Sequence, residues 1–142
     1  MPPTPESVVR SWFDEVWNQG CEEAIDRLMS ANAVAHDLPT PDGLPLQGPT
    51  AFKPFFRKFR DGFPDLRIDV TRTVTENDTV TAHCLVTGTH TGDTFGPPTG
   101  RPVEFKGICI ARVEDGQIVE AWNEFNFLLF YQQLGVLPQL PI

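Results

Sequence analysis

Hydrophobic residues recur at helical spacing in two segments of the N-terminal half. The positions i, i+3, i+4 and i+7 are apolar in Val9, Trp12, Phe13 and Val16, and again in Phe52, Phe55, Phe56 and Phe59. Such spacing puts the apolar side chains on one face of a helix. Thr4 and Thr50 precede these segments as candidate N-cap residues, and a shorter helix is predicted over 22–29.

After Pro64 the apolar period changes from that of a helix to that of a strand. Apolar and polar residues alternate over 66–74, 79–89, 103–113 and 117–125. Four strands are therefore predicted, with Asp115-Gly116 as the turn of the last hairpin. A short strand over 33–37 and a final helix over 128–134 complete the pattern. Helices followed by an antiparallel meander predict an α+β fold, a curved antiparallel sheet wrapped around the N-terminal helices, with residues 1–142 as one domain.

Charge and cysteine content narrow the classes of partner. The chain has 11 lysine and arginine residues against 19 aspartate and glutamate residues, a net charge of −8, so nucleic acid is not an expected partner. The three cysteines form no CxxC pair, which favours reduced thiols in a cytoplasmic protein. The first residues lack the features of a signal peptide, and the uncharged segment 125–142 is too short and too broken to span a bilayer, so no membrane partner is expected.

A sheet curved around amphipathic helices forms a cone with an open mouth, a shape that suits small-molecule binding. A small hydrophobic molecule is therefore the expected ligand. Six aromatic residues could line the cone: Trp12, Trp17, Phe52, Phe56, Phe59 and Trp122. The alternative interpretation is that each of these rings belongs to the core.

The three histidines are the candidate ionisable groups. His36 ends the first predicted strand beside Asp37, and the two could act as a base and its orienting carboxylate, although neighbours on a strand point to opposite faces. His83 lies in mid-strand and would enter the cone if its side of the strand faces the helices. His90 lies near the mouth as a ligand contact or as a cap for the following loop. Cys and His spacing does not match a zinc site, so no metal is expected.

Several motifs resemble those of one family. They are Val16-Trp17-Asn18-Gln19-Gly20, Phe63-Pro64-Asp65-Leu66, Gly88-Thr89-His90-Thr91-Gly92, Pro98-Thr99-Gly100-Arg101, Arg112 to Glu120, Trp122 and Gln132-Gln133-Leu134-Gly135. Together they resemble the SnoaL-like polyketide cyclases of the nuclear transport factor 2-like superfamily, whose cone is also called a cystatin-like barrel. The resemblance covers about residues 6–135 and is more specific for the fold than for the activity.

The resemblance implies a cofactor-free aldol cyclisation, or a related isomerisation, of an apolar carbonyl compound. In the family a catalytic aspartate follows the strand tryptophan by four residues, and Asn126 occupies that position here. The family also places a histidine on the preceding strand, and residues 91–142 contain none. An amide cannot take up a proton at neutral pH, but it can donate a hydrogen bond to an oxyanion.

Two functions from different classes follow. The first is a cofactor-independent enzyme with His36 or His83 as base and Asn126 as hydrogen-bond donor. The second is a non-catalytic module that holds a hydrophobic ligand in the same pocket, because Asn126 stands where an acid is expected. The superfamily commonly pairs through the outer face of its sheet, so a homodimer is expected in either case.

Overall fold

The computed structural model describes residues 3–138. Its four α-helices are α1 Pro5–Ser11, α2 Glu23–Leu28, α3 Gly48–Gly62 and α4 Phe127–Leu134. Its six strands are β1 Met29–His36, β2 Leu46–Gln47, β3 Arg67–Glu76, β4 Thr79–Thr89, β5 Pro102–Glu114 and β6 Gln117–Phe125. A π-helical segment, Trp12–Asn18, continues directly from α1. The mixed α+β architecture is the one that the sequence pattern predicts.

The six strands form one sheet in the order β2-β1-β6-β5-β4-β3. Neighbouring strands are antiparallel with one exception, since β1 runs parallel to β6 and pairs His36 with Trp122. The four strands of the predicted meander, β3 to β6, are antiparallel as the sequence pattern predicts, and the parallel pair joins them to β1. Alternation along each strand identifies the buried face but carries no information on the direction of a partner far away in the sequence.

The N-terminal helices begin where local capping allows. Thr4 accepts a hydrogen bond from the backbone N–H of Ser7 at 3.1 Å, as expected of an N-cap. The prediction of Thr50 as the cap of α3 is wrong, because the helix already begins at Gly48, with a proline in its first turn. A Cβ atom at Gly48 would lie 2.6 Å from the carbonyl oxygen of Ala31, so β1 and the start of α3 approach closely only with glycine there.

The helices cover one face of the sheet, and the residues of β4 identify that face. Val80, Ala82, Cys84 and Val86 are all buried, whereas the residues between them are partly exposed. Phenylalanines of α3 and α4 pack over the same face, with Phe130 at 1% exposure. Side chains that alternate with this buried set point away from the helices.

Candidate functional site

An apolar cavity of about 90 Å³ lies between the helices and the inner face of the sheet. Its aromatic lining includes Trp12, Trp17, Phe55, Phe59, Phe105 and Phe127. The rings of Trp17 and Phe59 are 6.5 Å apart at an interplanar angle of 87°, an edge-to-face arrangement. Of the aromatic residues predicted to line the cone, four line this cavity: Trp12, Trp17, Phe52 and Phe59.

Asn123 and Cys109 also line the cavity, beside the indole rings of Trp12 and Trp17. They are direct partners across the antiparallel β5–β6 pair, so the register places them side by side. Asn123 is 8% exposed, and its Nδ2 donates a hydrogen bond of 3.0 Å to the backbone carbonyl oxygen of His36. The amide is therefore the strongest hydrogen-bond acceptor among these side chains, since an indole N–H can only donate and a thiol is a weak partner.

The Cys109 thiol is neutral near physiological pH. Burial raises its pKa to about 12, and the nearby Cys84 acts in the same direction. The Cys84 pKa is also raised to about 12 by burial. Since the thiolate rather than the thiol is the nucleophile, neither cysteine is suited to covalent catalysis.

His36 lies on the outer face of the sheet. Its Nε2 donates a hydrogen bond of 2.7 Å to Glu120 Oε2, and its ring stacks on Trp122 with 5.6 Å between centroids. Glu120 also lies 3.7 Å from an Arg112 amino group. The predicted pairing of His36 with Asp37 is wrong, because the chain turns to a positive φ of 67° at Asp37, which is exposed. None of His36, Asp37 or Trp122 lines the cavity.

His83 also lies outside the cavity. It alternates with the buried residues of β4, so its side chain is on the outer face, where Nδ1 is 2.6 Å from the Thr71 hydroxyl. The side chain of His83 therefore does not enter the cone. Alternation along β4 showed two sets of residues without indicating which set faces the helices.

His90 is buried at 1% exposure but is not part of the cavity wall. Its Nδ1 accepts a hydrogen bond of 3.2 Å from the backbone N–H of Thr99, which ties the two ends of the following loop together. The proton then resides on Nε2, which has no hydrogen-bond partner among residues 3–138. The ring instead lies beside Phe63, 5.3 Å away between centroids.

The remaining two predicted site residues have structural contacts. Asn126 Oδ1 accepts a hydrogen bond of 3.1 Å from the backbone N–H of Leu129, so its side chain caps α4. Phe56 is buried against Trp17 with 5.4 Å between ring centroids and does not line the cavity, whereas its neighbour Phe55 does. The predicted site residues are thus divided between the cavity, the core and the outer face.

Asn123 was the main residue that sequence reasoning missed. It follows Trp122 in β6, and the register of β6 against β5 shifts between the pairs of Ile118 and Glu120. Beyond that shift the inward positions are those of Ala121, Asn123 and Phe125. The signal available in the sequence was an uncharged polar residue, Asn123, between the tryptophan and the glutamate of a predicted strand.

Residues 3–138 contain neither a metal-binding cluster of side chains nor a helix that could span a membrane. No group of three or more histidine, cysteine, aspartate or glutamate side chains is close enough to hold a metal ion. No helix in this range is both long and apolar enough to cross a bilayer.

Comparisons with solved structures identify the class of fold. IdmH of Streptomyces antibioticus, named as a polyketide cyclase, is 30% identical with a TM-score of 0.79, and the match covers 94% of this chain and 99% of IdmH. A protein of Bacillus cereus with the same designation is 28% identical, with a TM-score of 0.79 over 94% of this chain and 81% of that one. AclR of Streptomyces galilaeus, named as a hydroxylase, is 25% identical, with a TM-score of 0.79 over 96% and 84% of the two chains.

These three structures share the α+β fold of this chain over almost its whole length. The family model for SnoaL-like polyketide cyclases matches residues 7–134. The chain therefore belongs to the SnoaL-like polyketide cyclase family. A search of the curated proteins gave no match.

Proposed function

We propose that the protein binds a small, apolar, polyketide-like carbonyl compound in the cavity and promotes its cyclisation or isomerisation without a cofactor. Family membership supports the class of reaction, and the names of IdmH and the Bacillus cereus protein agree with it. The observation that carries the proposal is the aromatic cavity with the Asn123 amide in its wall.

The cavity walls can act on such a compound in two ways. Rigid aromatic rings restrict a flexible chain to folded conformations in which its reacting atoms are close, and exclusion of water strengthens hydrogen bonds to the wall. The Asn123 side chain is held by the His36 carbonyl oxygen, so its amide group is oriented before a ligand binds. The geometry therefore supports two contributions to the reaction: the shape of the cavity and one oriented amide group.

A side-chain base in the wall is not supported. The lining residues include no histidine, aspartate or glutamate, and His36 and His83 are on the other face of the sheet. Proton transfer in this proposal takes place within the substrate or through water at the mouth of the cavity.

A synthetic tetraketide thioester, as a linear poly-β-carbonyl probe, tests the proposal. We expect faster loss of the linear compound with protein than in buffer, with a cyclic isomer or its dehydration product detected by mass spectrometry. Ala121→Leu, which fills the cavity, should remove the acceleration, whereas Ala31→Leu at an exposed position of β1 should not. Equal rates with and without native protein would contradict the catalytic proposal.

The second candidate function is a non-catalytic module that holds a hydrophobic ligand. The absence of histidine, aspartate and glutamate from the lining residues described within 3–138 favours it. Calorimetric binding of the tetraketide probe without any turnover would select this function over the first.

A further inference from the structure

We infer that the cavity selects ligands that present a hydrogen-bond donor, such as an enol or phenol O–H, to Asn123 Oδ1. This inference rests on the proposed function, because it specifies the class of ligand that the same cavity accepts. It predicts that an apolar molecule with a hydroxyl group binds more tightly than the same molecule with that oxygen methylated.

The orientation of the Asn123 amide follows from its partner. Nδ2 lies 3.0 Å from the backbone carbonyl oxygen of His36, and a carbonyl oxygen can only accept a hydrogen bond. The nitrogen must therefore face His36, and the opposite orientation would bring two acceptor oxygens together. The amide flip that is often ambiguous in asparagine is fixed here by chemistry.

His36 provides a firm anchor for this arrangement. Its backbone pairs with Trp122 in the parallel β1–β6 ladder, one residue before Asn123. On the outer face its ring is held by Glu120 and stacked on Trp122. The carbonyl oxygen that orients Asn123 is therefore held in place by the backbone ladder and by side-chain contacts on the outer face.

The Oδ1 atom is the acceptor that remains for a ligand. Within residues 3–138 Oδ1 accepts no hydrogen bond, and the Asn123 residue is 8% exposed. Among these residues the fully buried side-chain atom without a partner is His90 Nε2, so Oδ1 keeps accessible surface on a residue that lines the cavity. A buried acceptor without a hydrogen bond costs free energy, so a ligand that donates a hydrogen bond to it gains binding free energy.

The alternative is that Asn123 binds the carbonyl group of a ligand through the second N–H of Nδ2. That nitrogen already donates to the His36 carbonyl oxygen, which fixes the plane of the amide, whereas Oδ1 accepts no hydrogen bond from residues 3–138. Cys109 is the cross-strand neighbour, and its sulfur is only a weak acceptor. Oδ1 is therefore the strongest side-chain acceptor in the wall, because the indole N–H groups of Trp12 and Trp17 can only donate.

Three naphthalenes of similar shape test the inference by titration calorimetry on the full chain: naphthalene, 2-naphthol and 2-methoxynaphthalene. We expect 2-naphthol to bind about 3- to 10-fold more tightly than the methyl ether, the range given by one net hydrogen bond. In Asn123→Leu this preference should disappear, which also removes differences in ligand hydration from the comparison. The same substitution at the exposed Asn32 of β1 is the matched control and should keep the preference.

The outcomes separate this inference from the proposed function. Equal binding of all three probes would overturn the donor preference and leave an apolar binding cavity, whereas no binding of any probe would overturn both. Tight binding of both oxygenated probes relative to naphthalene would show a donor in the wall and also overturn the inference. Persistence of the preference in Asn123→Leu, or its loss in Cys109→Ala, would overturn the assignment to Asn123.

A measurement on the native protein keeps the inference testable if Asn123→Leu does not fold. The side-chain amide resonances of Asn123 should shift in nitrogen–proton correlation spectra when 2-naphthol is added. With 2-methoxynaphthalene the same resonances should shift less, because only the ring current of the bound probe acts on them. Equal shifts with both probes would contradict a bond to Oδ1.

Discussion

Burial decides what each inward-facing polar residue can do. Cys84 and Cys109 occupy the inner face of the sheet, where burial raises both thiol pKa values to about 12. Cys21 lies outside the sheet and is partly exposed. The two buried thiols therefore act as small apolar groups of the core, and Asn123 is left as the effective polar group of the cavity.

The raised thiol pKa values predict a loss of stability in alkali. Unfolding returns the thiols to an ordinary pKa near 9.0, so the unfolded state releases protons first as the pH rises. The stabilising contribution is complete below pH 9 and is lost between about pH 9 and 12. The melting temperature should fall over the accessible part of this range, with a smaller slope in Cys84→Ala/Cys109→Ala.

The same burial predicts different reaction rates with a thiol reagent. In native protein at pH 8, Cys21 should react with Ellman's reagent well before the other two cysteines, and all three should react at once in denaturant. Rapid reaction of all three thiols in native protein would contradict the burial of Cys84 and Cys109.

At the scale of elements, Asn126 connects the end of β6 to α4. Its Oδ1 satisfies the Leu129 N–H at the start of the helix that carries Phe130 into the core. We expect Asn126→Ala to lower the free energy of unfolding by about 1 kcal/mol, the usual cost of losing an N-cap. Asn126→Asp should retain the stability, because aspartate caps a helix about as well as asparagine.

Urea unfolding of the three proteins checks this prediction. The Asn126→Asp variant is also a test of activity, because it supplies the carboxylate that the family pattern places at this position. If both substitutions cost the same stability, the Asn126 side chain does not act as the cap. A gain of turnover on the tetraketide probe in Asn126→Asp would indicate that a lost acid limits activity.

Elements that local chemistry determines were predicted closely from the sequence. The strands over 79–89 and 117–125 were predicted at their observed bounds, and Gly135 ends α4 with a positive φ of 83°. Tertiary contacts determine the rest. The π-helical segment Trp12–Asn18 keeps the apolar spacing of an α-helix, and the parallel β1–β6 pair joins strands far apart in the chain.

The site was less predictable than the fold for the same reason. A strand pattern gives two faces, and only packing against the helices shows that Asn123 points inward and His36 outward. Trp17 and Phe59 were found because helical apolar faces are broad and mostly buried. Whether a single polar residue points into the cavity changes when the strand register shifts by one residue, and the sequence alone does not determine that register.

On the scale of the whole molecule, the outer face of the sheet carries an apolar patch, defined here as Ile108, Ile110 and Trp122. Their exposures are 40%, 37% and 37%, and Ile110 and Trp122 are direct partners across β5 and β6. A central sheet face that exposes such side chains is suited to a second copy of the same surface, related by a twofold axis. We propose that this patch forms the core of a homodimer.

Sedimentation velocity on native protein and two variants tests the dimer. Trp122→Glu places a charge in the centre of the patch and should raise the dissociation constant at least about tenfold, as loss of a buried aromatic contact does at an interface. Val74→Glu is the matched control, because Val74 is also exposed, at 62%, but lies on β3 outside the patch. Because each chain carries a net charge of −8, added salt should strengthen association by screening repulsion between the subunits. A native protein that stays monomeric at high concentration, or a Val74→Glu effect equal to that of Trp122→Glu, would contradict this interface.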